Sequence, residues 1–210
     1  MIDERELPAQ TLADVAGIGR FAASMGWVPA TSGNFSRRID DATIAITRSG
    51  ADKGLLTERD IAVVSLEGPL PAGVSAETPL HVARYRSGLA VGAIVHVHTV
   101  AATVLSRLDL AQGAVTVEGY EMQKALSGIS THEGAIRVPI FSNAQNTREL
   151  AERIEASIGG HAPVPGYLLA GHGLYAWGAT MADAKRHLEG LEFLLRCALE
   201  ERRIRAWPPR

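Results

Sequence analysis

Apolar positions along this chain follow two rhythms, one helical and one extended. Between residues 11 and 25, Leu12, Val15, Ala16, Ala22 and Ala23 share one side of a helical wheel, and Gly26 supplies a stop. Residues 181–198 repeat the pattern: Met181, Ala184, Leu188, Leu191, Leu195 and Ala198 form a single stripe, opened by Thr180 with Asp183 three residues on. Further helices are predicted from Thr78 as N-cap with Pro79 as first helical residue to near Gly88, from Thr99 to about Arg107, over 118–126, and from Asn146 or Thr147 to about Ile158. Glu149 is placed for a capping box in the last of these. Short β-branched runs at 43–47, 61–65, 93–99, 115–117, 138–141, 167–170 and 174–177 read as strands, with Pro139 marking 138–141 as an edge. The stretch 27–36 reads as a polar turn. Strands and helices alternate from end to end without a repeat or linker, which predicts one layered α/β domain over 1–210.

Composition narrows the partners. The chain is 46% apolar and 21% charged with a net charge of −2, as in a soluble globular protein. No basic run is long enough for a nucleic-acid groove; Arg202-Arg203-Ile204-Arg205 is short. No stretch has the length of a membrane span, and the opening Met1-Ile-Asp-Glu-Arg-Glu is too charged for a signal peptide, so a cytoplasmic location is expected. Cys197 is the single cysteine. It excludes an internal disulfide and a multi-thiolate zinc cluster, leaves His, Asp and Glu as metal ligands, and itself reads as a small packed residue.

The candidate chemistry begins at Ala93-Ile-Val-His96-Val-His98-Thr99. Alternation along a strand puts His96 and His98 on one face with Cα atoms roughly 6–7 Å apart, a spacing at which two imidazoles can share a divalent ion. His172 lies between Gly171 and Gly173, which allow unusual backbone dihedrals and clear space around the ring. Three neutral ligands would leave a coordination position open, as in catalytic zinc sites.

Glu77, Glu118 and Glu121 are candidate proton-transfer groups, and periodicity does not choose among them. Glu77 before a helix also suits a helix-dipole role. Thr31-Ser32-Gly33-Asn34 and Arg48-Ser49-Gly50-Ala51-Asp52-Lys53-Gly54 combine hydroxyls, glycine and positive charge, the ingredients of an anion cradle, without matching a P-loop or dinucleotide fingerprint. His81 reads as structural although close to Glu77; His132, His161 and His187 read as solvated. Trp27, Tyr175 and Trp177 read as core or interface aromatics.

The ordered set Thr31-Ser-Gly-Asn-Phe-Ser36, Ile46-Thr-Arg-Ser-Gly50 with Lys53-Gly54, Ser75-Ala-Glu77, His96-Val-His98 and Gly171-His-Gly173 resembles the class II aldolase/epimerase family of zinc enzymes. Asp52-Lys-Gly54, Gly119-Tyr-Glu-Met122, Lys124-Ala-Leu126 and Gly173-Leu-Tyr-Ala-Trp-Gly178 point within it to the dehydratase wording. The resemblance implies a three-layer α/β/α domain with a largely antiparallel sheet, and a homotetramer with active sites near subunit contacts. It implies one zinc ion per subunit on His96, His98 and His172, with Glu121 as acid/base. Glu77 stands where the aldolases keep their catalytic glutamate. Ser32, Gly33, Asn34, Ser49, Gly50, Lys53 and Ser75 become the phosphate cradle. The implied activity is dehydration of a phosphorylated methylthio-ketose. The alternatives are a sugar-phosphate aldolase or 4-epimerase and, from another class, a non-catalytic binding or scaffold protein of this fold.

Overall fold

A computed structural model describes residues 6–87, 90–158 and 163–206, with side chains described from residue 9 onward. The elements in chain order are α1 (Glu6–Ser24), β1 (Asn34–Arg38), β2 (Thr43–Thr47), β3 (Ile61–Ser65), α2 (Thr78–Arg86), β4 (Ala93–Val97), α3 (Val100–Leu108), β5 (Ala114–Val117), β6 (Ile136–Phe141), α4 (Thr147–Ile158), β7 (Gly166–Leu169), β8 (Gly173–Gly178) and α5 (Met181–Ala206). The eight strands form one sheet in the order β3-β2-β1-β4-β8-β7-β6-β5. Every pairing is antiparallel except β6 with β7.

The pleat sorts side chains into two cores. Ala93, Val95 and Val97 face one way, where Val15, Ile18 and Ala22 of α1, Ala101 and Leu105 of α3, and Leu188, Leu191 and Leu195 of α5 cover the sheet. Ile94 faces the other way with Ile44, Ile46, Tyr167, Tyr175 and Trp177, under Leu80 and Tyr85 of α2 and Leu150 and Ile154 of α4. Helices on both faces of a mostly antiparallel sheet give the three-layer arrangement. No helix among the described residues is long and apolar enough to cross a membrane.

Four sequence expectations are corrected. The polar stretch ending at Ser36 contains a central strand: Asn34 and Ser36 are buried in β1, where Ser75 and, from α2, His81 satisfy their polar groups. Pro139 is not on an edge strand, since β6 pairs on both sides; it stands opposite Ala114 at the end of the β5–β6 ladder. The helix expected over 118–126 is a 3-10 turn, Glu121–Ala125. Thr78 is inside α2 with its hydroxyl donating to the Ser75 carbonyl (2.7 Å), and Glu77 holds the N-cap position without capping. The expected end of that helix near Gly88 falls outside the described residues; α2 runs to Arg86.

Candidate metal centre and anion cradle

β4 delivers the first imidazole. His96 is fully buried and stacks on Tyr175 of β8, its partner in register, with ring centroids 3.9 Å apart. Its Nδ1 donates to the Leu174 carbonyl (3.1 Å), which leaves Nε2 with its lone pair free. His98 follows at the strand end, where its N–H donates to the Trp27 carbonyl (2.8 Å) and Thr99 caps α3 by accepting from the Ala102 N–H (3.2 Å). The β7–β8 turn delivers His172. There Gly171 has φ +67°, and its N–H donates to the Ser106 hydroxyl (3.0 Å); Thr103 donates to the His172 carbonyl (3.0 Å). Gly173 needs no positive φ, and of the two roles expected of the glycines it meets the removal of bulk: a Cβ there would lie 2.2 Å from the Val97 carbonyl oxygen and 3.1 Å from the His96 ring.

The three rings converge. His96 Nε2 stands 2.9 Å from His98 Nε2 and 3.3 Å from His172 Nε2. One nitrogen from each residue lies within 4.8 Å of the others, a set that could hold a metal ion. Burial lowers the affinity of His96 and His98 for protons, His98 to about 4, and neighbouring imidazoles add to the effect. Neutral rings with converging lone pairs are what a divalent cation needs. The donor chemistry therefore fits a metal.

Glu77 closes this cluster from α2. Its Oε1 lies 2.9 Å from His172 Nε2 and its Oε2 lies 3.3 Å from His96 Nε2. Burial opposes its ionisation, but the charge of His96 and His172 when protonated, with an Asn34 amide N–H 2.5 Å from Oε2, outweighs burial and holds the carboxyl far below its usual range. Asn34 is opposite His96 across β1 and β4, so the sheet register itself brings the amide to the site.

Ser32, Gly33, Asn34, Ser49, Gly50, Lys53 and Ser75, all expected in the cradle, line one cleft of about 290 Å³ together with Thr31, Arg48, Glu77 and His98. Ala30 and Thr31 carry positive φ (52° and 63°) at its entrance, strained backbone for residues with a Cβ. Gly33 has φ +77°, and a Cβ there would sit 2.7 Å from the His96 carbonyl oxygen. The Ser32 hydroxyl is buried without a hydrogen-bond partner. Lys53 is buried and donates to the Thr31 and Ala51 carbonyls (2.9 and 2.7 Å), so it ties the two loops together. Burial lowers its proton affinity.

On the other side of His98 is a second cleft of about 470 Å³, lined by Pro29, Val100, Val104, Thr103, Asn143 and His172. Sequence reading assigned none of its apolar wall. Val100 and Val104 are helical neighbours four residues apart on α3, 74% and 37% exposed.

Glu121 is elsewhere in the chain's surface. Its side chain is 69% exposed, paired with Lys124 and with His132 (3.1 Å), and it lines neither cleft. Glu118 is exposed as well. His187, expected in solvent, is buried: Nδ1 meets the Trp177 carbonyl (2.7 Å) and Nε2 meets the Ser127 hydroxyl (2.8 Å). His132 is half-exposed and His161 falls outside the described residues. Trp27, Tyr175 and Trp177 are buried, and Cys197 is partly buried.

Residues 13–199 match the family described as class II aldolase and adducin N-terminal domain. A methylthioribulose-1-phosphate dehydratase of Sorangium cellulosum is 51% identical over 193 residues, covering 90% of this chain and 91% of that protein. One from Parvibaculum lavamentivorans is 46% identical and covers 94% and 97%. Among solved structures, the L-fuculose-1-phosphate aldolase of Thermus thermophilus superposes with a TM-score of 0.77 at 28% identity, over 96% of this chain and 100% of that one. With the fold, the imidazole cluster and these relatives in agreement, the chain belongs to the class II aldolase and adducin N-terminal domain family.

Proposed function

We propose that this chain dehydrates 5-methylthioribulose 1-phosphate to 2,3-diketo-5-methylthiopentyl 1-phosphate and water, as a cytoplasmic, zinc-dependent homotetramer of methionine salvage. The observation that carries the reading is the placement of three converging imidazoles between a polar cleft and an apolar one, in a chain about half identical to dehydratases of that name. His96, His98 and His172 would hold the zinc, which when bound supplies Lewis-acid polarisation of the substrate C2 carbonyl.

The residues divide the remaining work. Backbone amides and hydroxyls of Ser32, Gly33, Ser49, Gly50 and Ser75 anchor the phosphate in the cleft that Asn34 also lines, and Lys53 fixes the two loops. Substrate extending past His98 places its methylthio end against Pro29, Val100 and Val104. Glu77, held as a carboxylate beside the imidazoles, accepts the proton from C3. The C3–H electrons form the C3–C4 double bond as the C4 hydroxyl leaves, taking a proton from an acid to depart as water. The resulting enol gains a proton at C4 and becomes the diketone. Glu121 is the proposed acid. Its exposure away from both clefts supports delivery from a neighbouring subunit of the tetramer.

The test is turnover of methylthioribulose 1-phosphate, before and after chelator dialysis, with restoration by zinc. Diketone formation lost on dialysis and recovered with zinc is expected; undiminished turnover in exhaustively dialysed protein rejects the mechanism. The sibling reading, a sugar-phosphate aldolase or epimerase, draws on the likeness to the Thermus aldolase and on Glu77 at the imidazoles. Cleavage of fuculose 1-phosphate in preference to dehydration would establish that reading instead.

A further inference from the structure

Behind Glu77 runs a line of buried polar groups that the reaction itself does not use. Tyr85 OH is 2.9 Å from Ser36 Oγ, which is 2.7 Å from His81 Nδ1; His81 Nε2 is 2.5 Å from Asn34 Oδ1, and Asn34 Nδ2 is 2.5 Å from Glu77 Oε2. Ser36 and His81 are fully buried, and Asn34 and Tyr85 nearly so.

The donors in this line can point only one way. The Glu77 carboxylate accepts, so Asn34 presents its NH₂ there and its carbonyl to His81. A carbonyl only accepts, so His81 carries its proton on Nε2. Nδ1 then accepts from the Ser36 hydroxyl, whose oxygen accepts from Tyr85. Burial lowers the proton affinity of His81, to about 4, which keeps the ring neutral and compatible with this single arrangement. Turning the Asn34 amide over would set a carbonyl against a carboxylate and an NH₂ against an N–H. The second contact can be relieved by a shift of the His81 proton to Nδ1, but the first is repulsive for either tautomer, and buried groups have no water to relieve it.

We propose that His81 is a positioning residue for Glu77, locking the Asn34 amide so that it holds the carboxylate between His96 and His172. Glu77 is tied to its backbone only at the first turn of α2, and no cation of the described residues pairs with it other than through imidazole. The Asn34 amide is therefore the fixed point that sets the carboxylate's direction. The proposal rests on Glu77 working at the reacting centre, as the reading above has it.

The experiment compares His81→Leu and His81→Gln, each in the wild-type and the Glu77→Gln background, for kcat, KM, zinc content and melting temperature with methylthioribulose 1-phosphate. Gln can return an N–H to Asn34; Leu cannot. His81→Leu is expected to lower kcat about 10- to 100-fold with KM within threefold and zinc retained, as misplacement of a reacting group does. His81→Gln should recover most of that loss, and in the Glu77→Gln background the Leu change should cost no more than about twofold. Equal losses in both backgrounds, or Gln no better than Leu, overturn the proposal. A Glu77→Gln enzyme as active as wild type overturns the underlying role of Glu77 instead. Should His81→Leu fail to fold, long-range ¹H–¹⁵N correlations of the wild-type imidazole decide: Nε2–H supports the relay and Nδ1–H ends it.

Discussion

Glu77, partly buried, and Glu192, buried, both lie near the junction of β4 and α3, yet their surroundings push them in opposite directions. Glu192 of α5 is 3% exposed, lies on the α1/α3/α5 side of the sheet and accepts from the Thr99 hydroxyl (2.6 Å). Burial raises its proton affinity to about 7, and the single hydroxyl and the Arg196 charge offset only part of that. Glu77 has two imidazoles and an amide, and burial loses to them. Burial alone makes a carboxyl neutral; a built ligand cluster keeps one charged. That difference separates a site from a core.

The largest effect should come from removing the charge where it is held. Glu77→Gln is expected to lower kcat by about 10²–10⁴-fold, the usual share of a proton-transfer group, with zinc content unchanged; a loss below fivefold would erase the contrast with the other glutamates. Glu121→Gln should lose about 10²-fold or more. Because Glu121 is proposed to serve a neighbouring chain's site, co-refolded Glu77→Gln and Glu121→Gln chains should regain turnover that neither has alone. No recovery on mixing would return Glu121 to its own chain or to the surface.

Stability sharpens the other half of the comparison. A glutamate whose folded-state pKa stands near 7, against an ordinary 4.5, binds more protons folded than unfolded across that interval. Stability is therefore highest below about pH 4.5, falls as pH rises through 7, and levels off above, by roughly 3 kcal/mol for this one group. Glu192→Gln keeps the Thr99 contact and should abolish that slope, so that its stability relative to wild type rises with pH in urea titrations. A constant difference between the two from pH 5 to 8 would place Glu192 among groups indifferent to folding. The smallest effect is expected at the exposed valine: Val104→Thr should raise KM for the methylthio substrate by a few-fold, roughly 1 kcal/mol, with kcat unchanged and a ketose phosphate lacking the methylthio group unaffected.

Much of the site was legible because its signals are local. The two-residue period placed His96 and His98 on one face, and the hydroxyl–glycine loops carry the ingredients of an anion cradle, which the structure gathers into one cleft. What escaped was long-range. The burial of His187 depends on Trp177 and Ser127, ten and sixty residues away in the chain, so its surface-like spacing on α5 misled. β1 hid because its polar residues, Asn34 and Ser36, are satisfied by α2, which no alternation rule records. Pro139 reads as an edge signal until one sees that it stands where a ladder ends. The motif wording singles out Glu121 while the single chain's geometry singles out Glu77, and the mixing experiment above decides whether the two meet across a subunit contact.

Gly173 ties two properties together that protein engineers would prefer to tune separately. The same backbone position lies against the β4 carbonyl it pairs beside and the edge of the innermost imidazole. Any attempt to loosen or recolour the ligand sphere from this strand, even by one methyl group, would also prise open the middle of the sheet. Changes meant to fit a new substrate are therefore better made in the loops and in α3 than on this strand.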